Sequence, residues 1–348
     1  MRRFGRTLAA AALTVTLVAG TAGWAGADSV TPVTGPPPGT AAWLAEALPG
    51  RPLPDPATAS ASEVARLFAG LDDARRRDLL SRHPLVVGNL DGAPPALRYE
   101  ANRLAITATG DARYASLARP GRQILSFDPR GRGQVAEVFG DLEHAAHVAV
   151  IVPGSDNDAA GHDTARGPAT GPAGMARALR SATGGSGTAV VAWTGYTTPV
   201  GVGLDAAEGR LAEAGAVRLA RFTAGLDAVG APDPALFCHS YGSVVCGLAA
   251  RHTDAADIVV FGSPGMRAGD AAALHTGARV WAARGPSDWI ADVPNVELAG
   301  LGHGTDPTSA AFGARRVPAT DVAGHTGYFA PGTRSLAAFA AIATGDVR

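Results

Sequence analysis

The sequence predicts an α/β protein, a mostly parallel, doubly wound sheet with an N-terminal helical appendage. Three observations predict it. Five continuous apolar runs, HVAVIVPG, GTAVVAWTG, PALFCHS, ADIVVFGSPG and ARVWAARG, have the texture of strands buried on both faces. Helical segments alternate with them, so helices cover both sides of the sheet. Ahead of these runs, QILSFD and QVAEVF flank the turn Pro129 to Gly133, a hairpin signature that opens the sheet with an antiparallel pair.

Taken in order, the chain divides into four stretches. Residues 1–27 carry basic Arg2, Arg3 and Arg6, an apolar stretch from Leu8 to about Gly20, and the small-residue site Ala25-Gly26-Ala27, the pattern of a secretion signal. The apolar stretch is short for a membrane span, so a secreted mature chain starting near Asp28, without a stable membrane span, is expected. Residues 28–60 are rich in Pro and Gly and read as an extended, partly disordered lead. Residues 61–115 read as helices: Ser62 is placed as the first cap, Val64, Leu67, Phe68 and Leu71 repeat at helical spacing, Asp72 caps a second helix, and another begins near Pro95. Residues 116–348 hold the strands and their helices. The clearest helix follows Asp205, where Leu211, Gly215, Leu219, Phe222 and Leu226 share one face.

Composition narrows the function. The 348 residues are 46% hydrophobic and 18% charged, with a formal net charge of -1 and no lysine. A chain this apolar can bury a sizeable core. No basic stripe is present, which argues against nucleic acid as a partner and leaves small or lipid-like molecules. The nine histidines include no H-E-x-x-H, and Asp156-Asn157-Asp158 lacks the further oxygen ligands of a calcium loop, so neither metal nor cofactor is expected.

Between the strand run ending at Cys238 and the helical run beginning at Ser243, only a few residues turn the chain. That is the pattern of a nucleophile elbow, which lifts a serine hydroxyl above the sheet and aims the next backbone N–H at the same point. Ser240 occupies the tip. Cys238 stands where the G-x-S-x-G pattern has its first glycine. Cys238 and Cys246 are the only cysteines, and two states fit the sequence, a disulfide across the elbow or two buried thiols.

Ligands bind beyond the carboxyl ends of strands in such sheets. Tyr196, Ser240 and Asp288 each follow an apolar run, and His325 lies between glycines in DVAGHTGY. Ser240, Asp288 and His325 thus occur in the order nucleophile, acid, base. A serine hydroxyl attacks only when a neutral imidazole takes its proton, and a buried carboxylate fixes that imidazole's tautomer. Asp292 is the rival acid and His303 the rival base; Asp288 is preferred as nearer its strand, and His325 because it follows the short strand near Arg316. His239 is expected to pack or line the rim. For the oxyanion, the Tyr241 N–H is one donor, and the second is expected from Ser155, with Asp156 as second choice.

The segments HPLVVGNLDGAPPALRYEANRLA, HSYGS, GLGHGTDPTSAAFGA and GHTGY resemble the alpha/beta-hydrolase superfamily, and more closely an actinobacterial branch of secreted or cell-envelope hydrolases known chiefly by sequence. The resemblance runs from about Ser62 to the C-terminus. It implies Ser240 as nucleophile, Asp288 as acid and His325 as base. The expectation is a secreted, monomeric serine hydrolase acting on carboxylic esters through an acyl-enzyme. A peptidase, an acyltransferase or an envelope-binding protein with a vestigial triad are the alternatives. Pro264 to Gly277 leaves room for only a short helix, so the expected site is open, lidless and rimmed by loops, and takes soluble or short-chain acyl substrates without activation at a lipid interface.

Overall fold

The computed structural model describes residues 29–48, 51–163, 167, 169–185 and 187–347; the segment read as a secretion signal lies outside the described residues. One sheet holds β1 (Ile124–Asp128), β2 (Gln134–Phe139), β3 (His147–Val152), β4 (Thr188–Thr194), β5 (Ala235–His239), β6 (Asp257–Phe261), β7 (Arg279–Ala283) and β8 (Arg315–Arg316). Their spatial order is β8-β7-β6-β5-β3-β4-β2-β1. Only β2 pairs antiparallel, with β1 and β4; the remaining pairings are parallel. After β3 the chain first adds β4 on one side and then β5 on the other. The strand order reverses there, the position at which sheets of this kind bind ligands beyond the carboxyl ends of their strands.

Helices α1 (Ala61–Ala69), α2 (Asp73–Arg82), α3 (Pro84–Asn89) and α4 (Pro95–Thr109) precede the sheet; α5 (Gly171–Ala182), α6 (Arg210–Ala228), α7 (Gly242–Ala249) and α8 (Arg334–Ala343) cover it. Alternate residues of each strand enter opposite layers. Val148, Val150, Leu236 and Cys238 pack with α6 and α7, whereas Ile151, Phe237, Val259 and Phe261 pack with α5 and α8. The apolar runs are continuous because both layers are dry. On α6 the face Leu211, Gly215, Leu219, Phe222 and Leu226 is buried, as its spacing predicts.

The N-terminal helices form their own apolar cluster and dock on β1 and α6. Asn102 Nδ2 donates to the Ile124 carbonyl at 2.9 Å, and Asn89 Nδ2 to that of Phe127 at 2.6 Å. Arg221 of α6 donates to the carbonyls of Pro56 and Ala57. Two expectations are corrected here. The lead is anchored in part: Thr40–Leu44 is helical, and Trp43 is fully buried in the cluster with Nε1–H donating to the Pro54 carbonyl at 2.8 Å. The first helix is capped by Ser60 and not Ser62, because Ser60 forms a reciprocal capping box with Glu63.

Candidate active site

Ser240 sits between β5 and α7 with φ of 52°, a left-handed conformation rare for a residue with a side chain. Such strain persists only where the surroundings enforce it. Three contacts do so. The Ser240 N–H donates to the Phe261 carbonyl at 3.0 Å, and the Ser243 N–H closes the turn onto the Ser240 carbonyl at 2.9 Å. Gly242 lies so close to β3 that a Cβ would stand 2.3 Å from the Val152 carbonyl oxygen, so only glycine fits. At the pattern's first glycine position the structure has a covalent tie instead: Cys238 and Cys246 are disulfide-bonded, Cα atoms 6.4 Å apart, joining β5 to α7 beneath Ser240.

Asp288 caps the 3-10 turn Trp289–Asp292 and is 2% exposed. Its Oδ1 lies 2.7 Å from His325 Nδ1 and accepts the Ile290 N–H at 3.0 Å; its Oδ2 accepts the Tyr328 hydroxyl at 2.5 Å. Burial alone would raise its pKa, but the hydrogen bonds from His325, Tyr328 and Ile290 together hold it below the usual carboxylate value. A carboxylate facing Nδ1 makes that nitrogen the donor and leaves Nε2 as the acceptor. The His325 ring lies between those of His239 and Trp289, with centroids 4.7 and 4.5 Å away. Among the described residues, Ser240 Oγ makes no hydrogen bond to His325. In unliganded sites this contact is often long and tightens with substrate.

Both rivals are engaged elsewhere or face outward. Asp292 is exposed at the end of its 3-10 turn. His303 is buried, with Nε2 on the Ala206 carbonyl at 2.8 Å and its ring edge-on to Tyr241. Tyr241 itself is anchored by its hydroxyl, which donates to the Glu208 carbonyl at 2.7 Å. Tyr196 donates to the Pro153 carbonyl at 2.7 Å and so supports the turn leading to Ser155. The next residue, Asp156, is removed as second choice for the oxyanion: its N–H is spent on the Pro199 carbonyl at 2.9 Å, while its Oδ1 accepts the Gly201 N–H at 2.8 Å. Those bonds clamp the Ser155 loop to the loop after β4.

His239 is a neutral brace. Burial first, and the neighbouring His325 second, push its pKa down to about 3, while its Nε2 donates to the His325 carbonyl at 2.7 Å. The unfolded chain takes up a proton on this histidine below about pH 6.5 and the folded chain does not, so stability falls as pH drops from there toward 3. We expect His239→Gln to remove this slope. Between pH 7 and 5, urea unfolding should show the wild type losing about 2 kcal/mol more than the variant.

Three further residues were not read from the sequence as part of the site. Tyr328 holds Asp288 and accepts the Gly285 N–H at 3.0 Å. A Cβ on Gly154 would stand 2.7 Å from Ser240 Cβ, and one on Gly262 3.0 Å from Asp288 Oδ2 and 3.1 Å from His325 Cε1. Tyr328→Phe keeps the buried ring and deletes one donor to the carboxylate. It should cut kcat/KM by about 10- to 100-fold, and move the acidic limb of the pH–rate profile upward, because Asp288 is then protonated more easily.

Residues 128–298 match a protein-family model described as alpha/beta hydrolase. An uncharacterized protein of Mycobacterium tuberculosis is 28% identical across 84% of this chain. The match takes in 57% of that relative, so the chain spans little more than half its length. Similar solved structures include a predicted CIB-like hydrolase from Thermoplasma acidophilum, 13% identical with a TM-score of 0.39 over 65% of this chain and 97% of that one. Another is a serine hydrolase without a lid from Xanthomonas campestris, 14% identical with a TM-score of 0.38 over 66% and 95% of the two chains. By its strand order this chain has the alpha/beta-hydrolase fold, and residues 128–298, just under half of it, are similar to the alpha/beta-hydrolase family.

Proposed function

We propose that the protein is a secreted serine hydrolase that cleaves carboxylic esters through an acyl-enzyme on Ser240. The observation that carries this reading is the buried Asp288–His325 pair, bonded at 2.7 Å, beside a serine held in a left-handed elbow. His325 Nε2 takes the Ser240 proton as Oγ bonds to the ester carbonyl carbon, and Asp288 stabilises the imidazolium. The oxyanion meets the backbone N–H groups of Tyr241 and Ser155. The imidazolium then returns its proton to the departing alcohol, and water, activated by the same histidine, releases the acid and regenerates Ser240.

Export is supported by the signal-like residues 1–27 and by the disulfide, a bond characteristic of oxidising compartments. The substrate is a small or lipid-like acyl ester, reached without a lid: between β6 and β7 the only helical element is the 3-10 turn Ala272–Leu274. A fluorophosphonate probe tests the reading, because it labels only an activated serine. Wild type should be labelled and Ser240→Ala should not. Wild type that resists labelling would leave the fold without a working nucleophile, and a binding protein would then be the better description.

A further inference from the structure

Nine large apolar side chains are exposed among the described residues, and seven of them lie at the carboxyl end of the sheet. Val200, Val202 and Leu204 follow β4; Val296, Leu298 and Leu301 follow β7; Trp289, against the His325 ring, is the seventh. The two segments are neighbours. Glu208 pairs antiparallel with Leu301, and the Ala206 carbonyl bonds His303. Exposed apolar surface gathered on one face marks an interaction site, whereas scattered residues do not.

The shape and charge of this face say what it fits. Glu297–Leu298 and Leu301–Gly302 form a two-stranded ribbon, turned at Ala299 and Gly300 with φ of 52° and 83°. Leu298 is 77% exposed at the turn, so the ribbon projects its apolar tip into solvent. Enclosing one acyl chain takes a concave, occluded lining; five of these seven side chains are more than half exposed, which suits a soft apolar phase instead. The arginines around the ribbon are already paired, whereas Glu208 and the exposed Asp292 have no ion pair among the described residues. Arg267 bonds Glu297 and the Gly300 carbonyl, and Asp205 accepts the Val30 N–H and pairs with Arg210. A face with no free arginine among the described residues to hold an anionic headgroup suits an uncharged or zwitterionic surface.

We propose that this face is an interfacial docking surface, by which the protein settles on a neutral lipid surface with the Ser240 site turned toward it. Attachment is peripheral: among the described residues no helix is long and apolar enough to cross a membrane. With no lid to open, docking concentrates the protein at the surface and leaves turnover of a soluble ester unchanged.

The test is sedimentation with phosphatidylcholine vesicles of wild type, Ser240→Ala, Leu298→Gln and the double variant Leu298→Gln/Val202→Gln. Wild type and Ser240→Ala should partition equally, which separates docking from the catalytic reading. The double variant should bind at least about tenfold more weakly, the loss expected for removing buried aliphatic side chains, and Leu298→Gln should fall between. All but Ser240→Ala should hydrolyse a soluble short ester at the wild-type rate. Wild type that stays in the supernatant, or variants that bind like wild type, would overturn the proposal. So would a salt-sensitive demand for anionic lipid, or a dimer in light scattering that the double variant loses, which would make the face a contact between copies.

Discussion

Asp288→Asn is expected to lower kcat/KM for a short soluble acyl ester by about 10³- to 10⁴-fold, as loss of a triad acid generally does. The geometry explains why an amide does not substitute. Both carboxylate oxygens act as acceptors, Oδ1 toward His325 Nδ1 and the Ile290 N–H, Oδ2 toward the Tyr328 hydroxyl. An amide NH₂ placed on the Oδ1 side donates to Nδ1 and forces the proton onto Nε2, which can then accept nothing from Ser240. Placed on the other side, it meets a hydroxyl that already accepts the Gly285 N–H. Either way the negative charge that stabilises the imidazolium is gone. Ser240→Ala and His325→Ala should lose at least about 10³-fold, and the triple variant little more than the singles, because the three groups act as a unit. Asp292→Asn should stay near wild type. Steady-state kinetics decide, and an active Asp288→Asn beside an inactive Asp292→Asn would remove Asp288 from its role.

The parts of this site that were legible in the sequence are those that local pattern controls. The elbow shows as an apolar strand breaking at Cys-His-Ser-Tyr-Gly, the acid shows because the sheet delivers it just past an apolar run, and the base because it follows the short strand near Arg316. The capping box of α1 was equally local; Ser60 with Glu63 three residues on is its signature, and Ser62 was the wrong serine of two close candidates. What could not be read is what depends on neighbouring strands. Tyr328 stands within GHTGY, yet nothing there says that its hydroxyl reaches a carboxylate forty residues earlier. Trp43 lies in a stretch whose Pro and Gly content suggests disorder, and only the cluster of helices that follows gives it a place to bury. The disulfide follows the same rule, since Cα separation is a property of the folded turn.

Gly154→Ala should cost about 10²-fold or more in kcat/KM while leaving the fold intact. Gly154 follows β3, and its φ lies outside the left-handed region, so the backbone itself accepts alanine. The obstacle is Ser240. An added methyl would stand 2.7 Å from Ser240 Cβ and 3.1 Å from Oγ, distances at which something must shift. Ser240 has little freedom to retreat, because its N–H is bound to the Phe261 carbonyl, its carbonyl receives the Ser243 N–H, and the disulfide fixes the strand and helix on either side. The β3 loop must therefore move, carrying the Ser155 N–H out of line with Tyr241. A displacement near 1 Å in a catalytic group costs about 10²-fold, and the loss should fall on kcat more than on KM, since an oxyanion donor acts in the transition state. Thermal unfolding monitored alongside should stay within a few degrees of wild type. Wild-type kinetics in Gly154→Ala would show that the β3 loop relaxes without touching the chemistry, and the second oxyanion donor would have to be sought elsewhere than at Ser155.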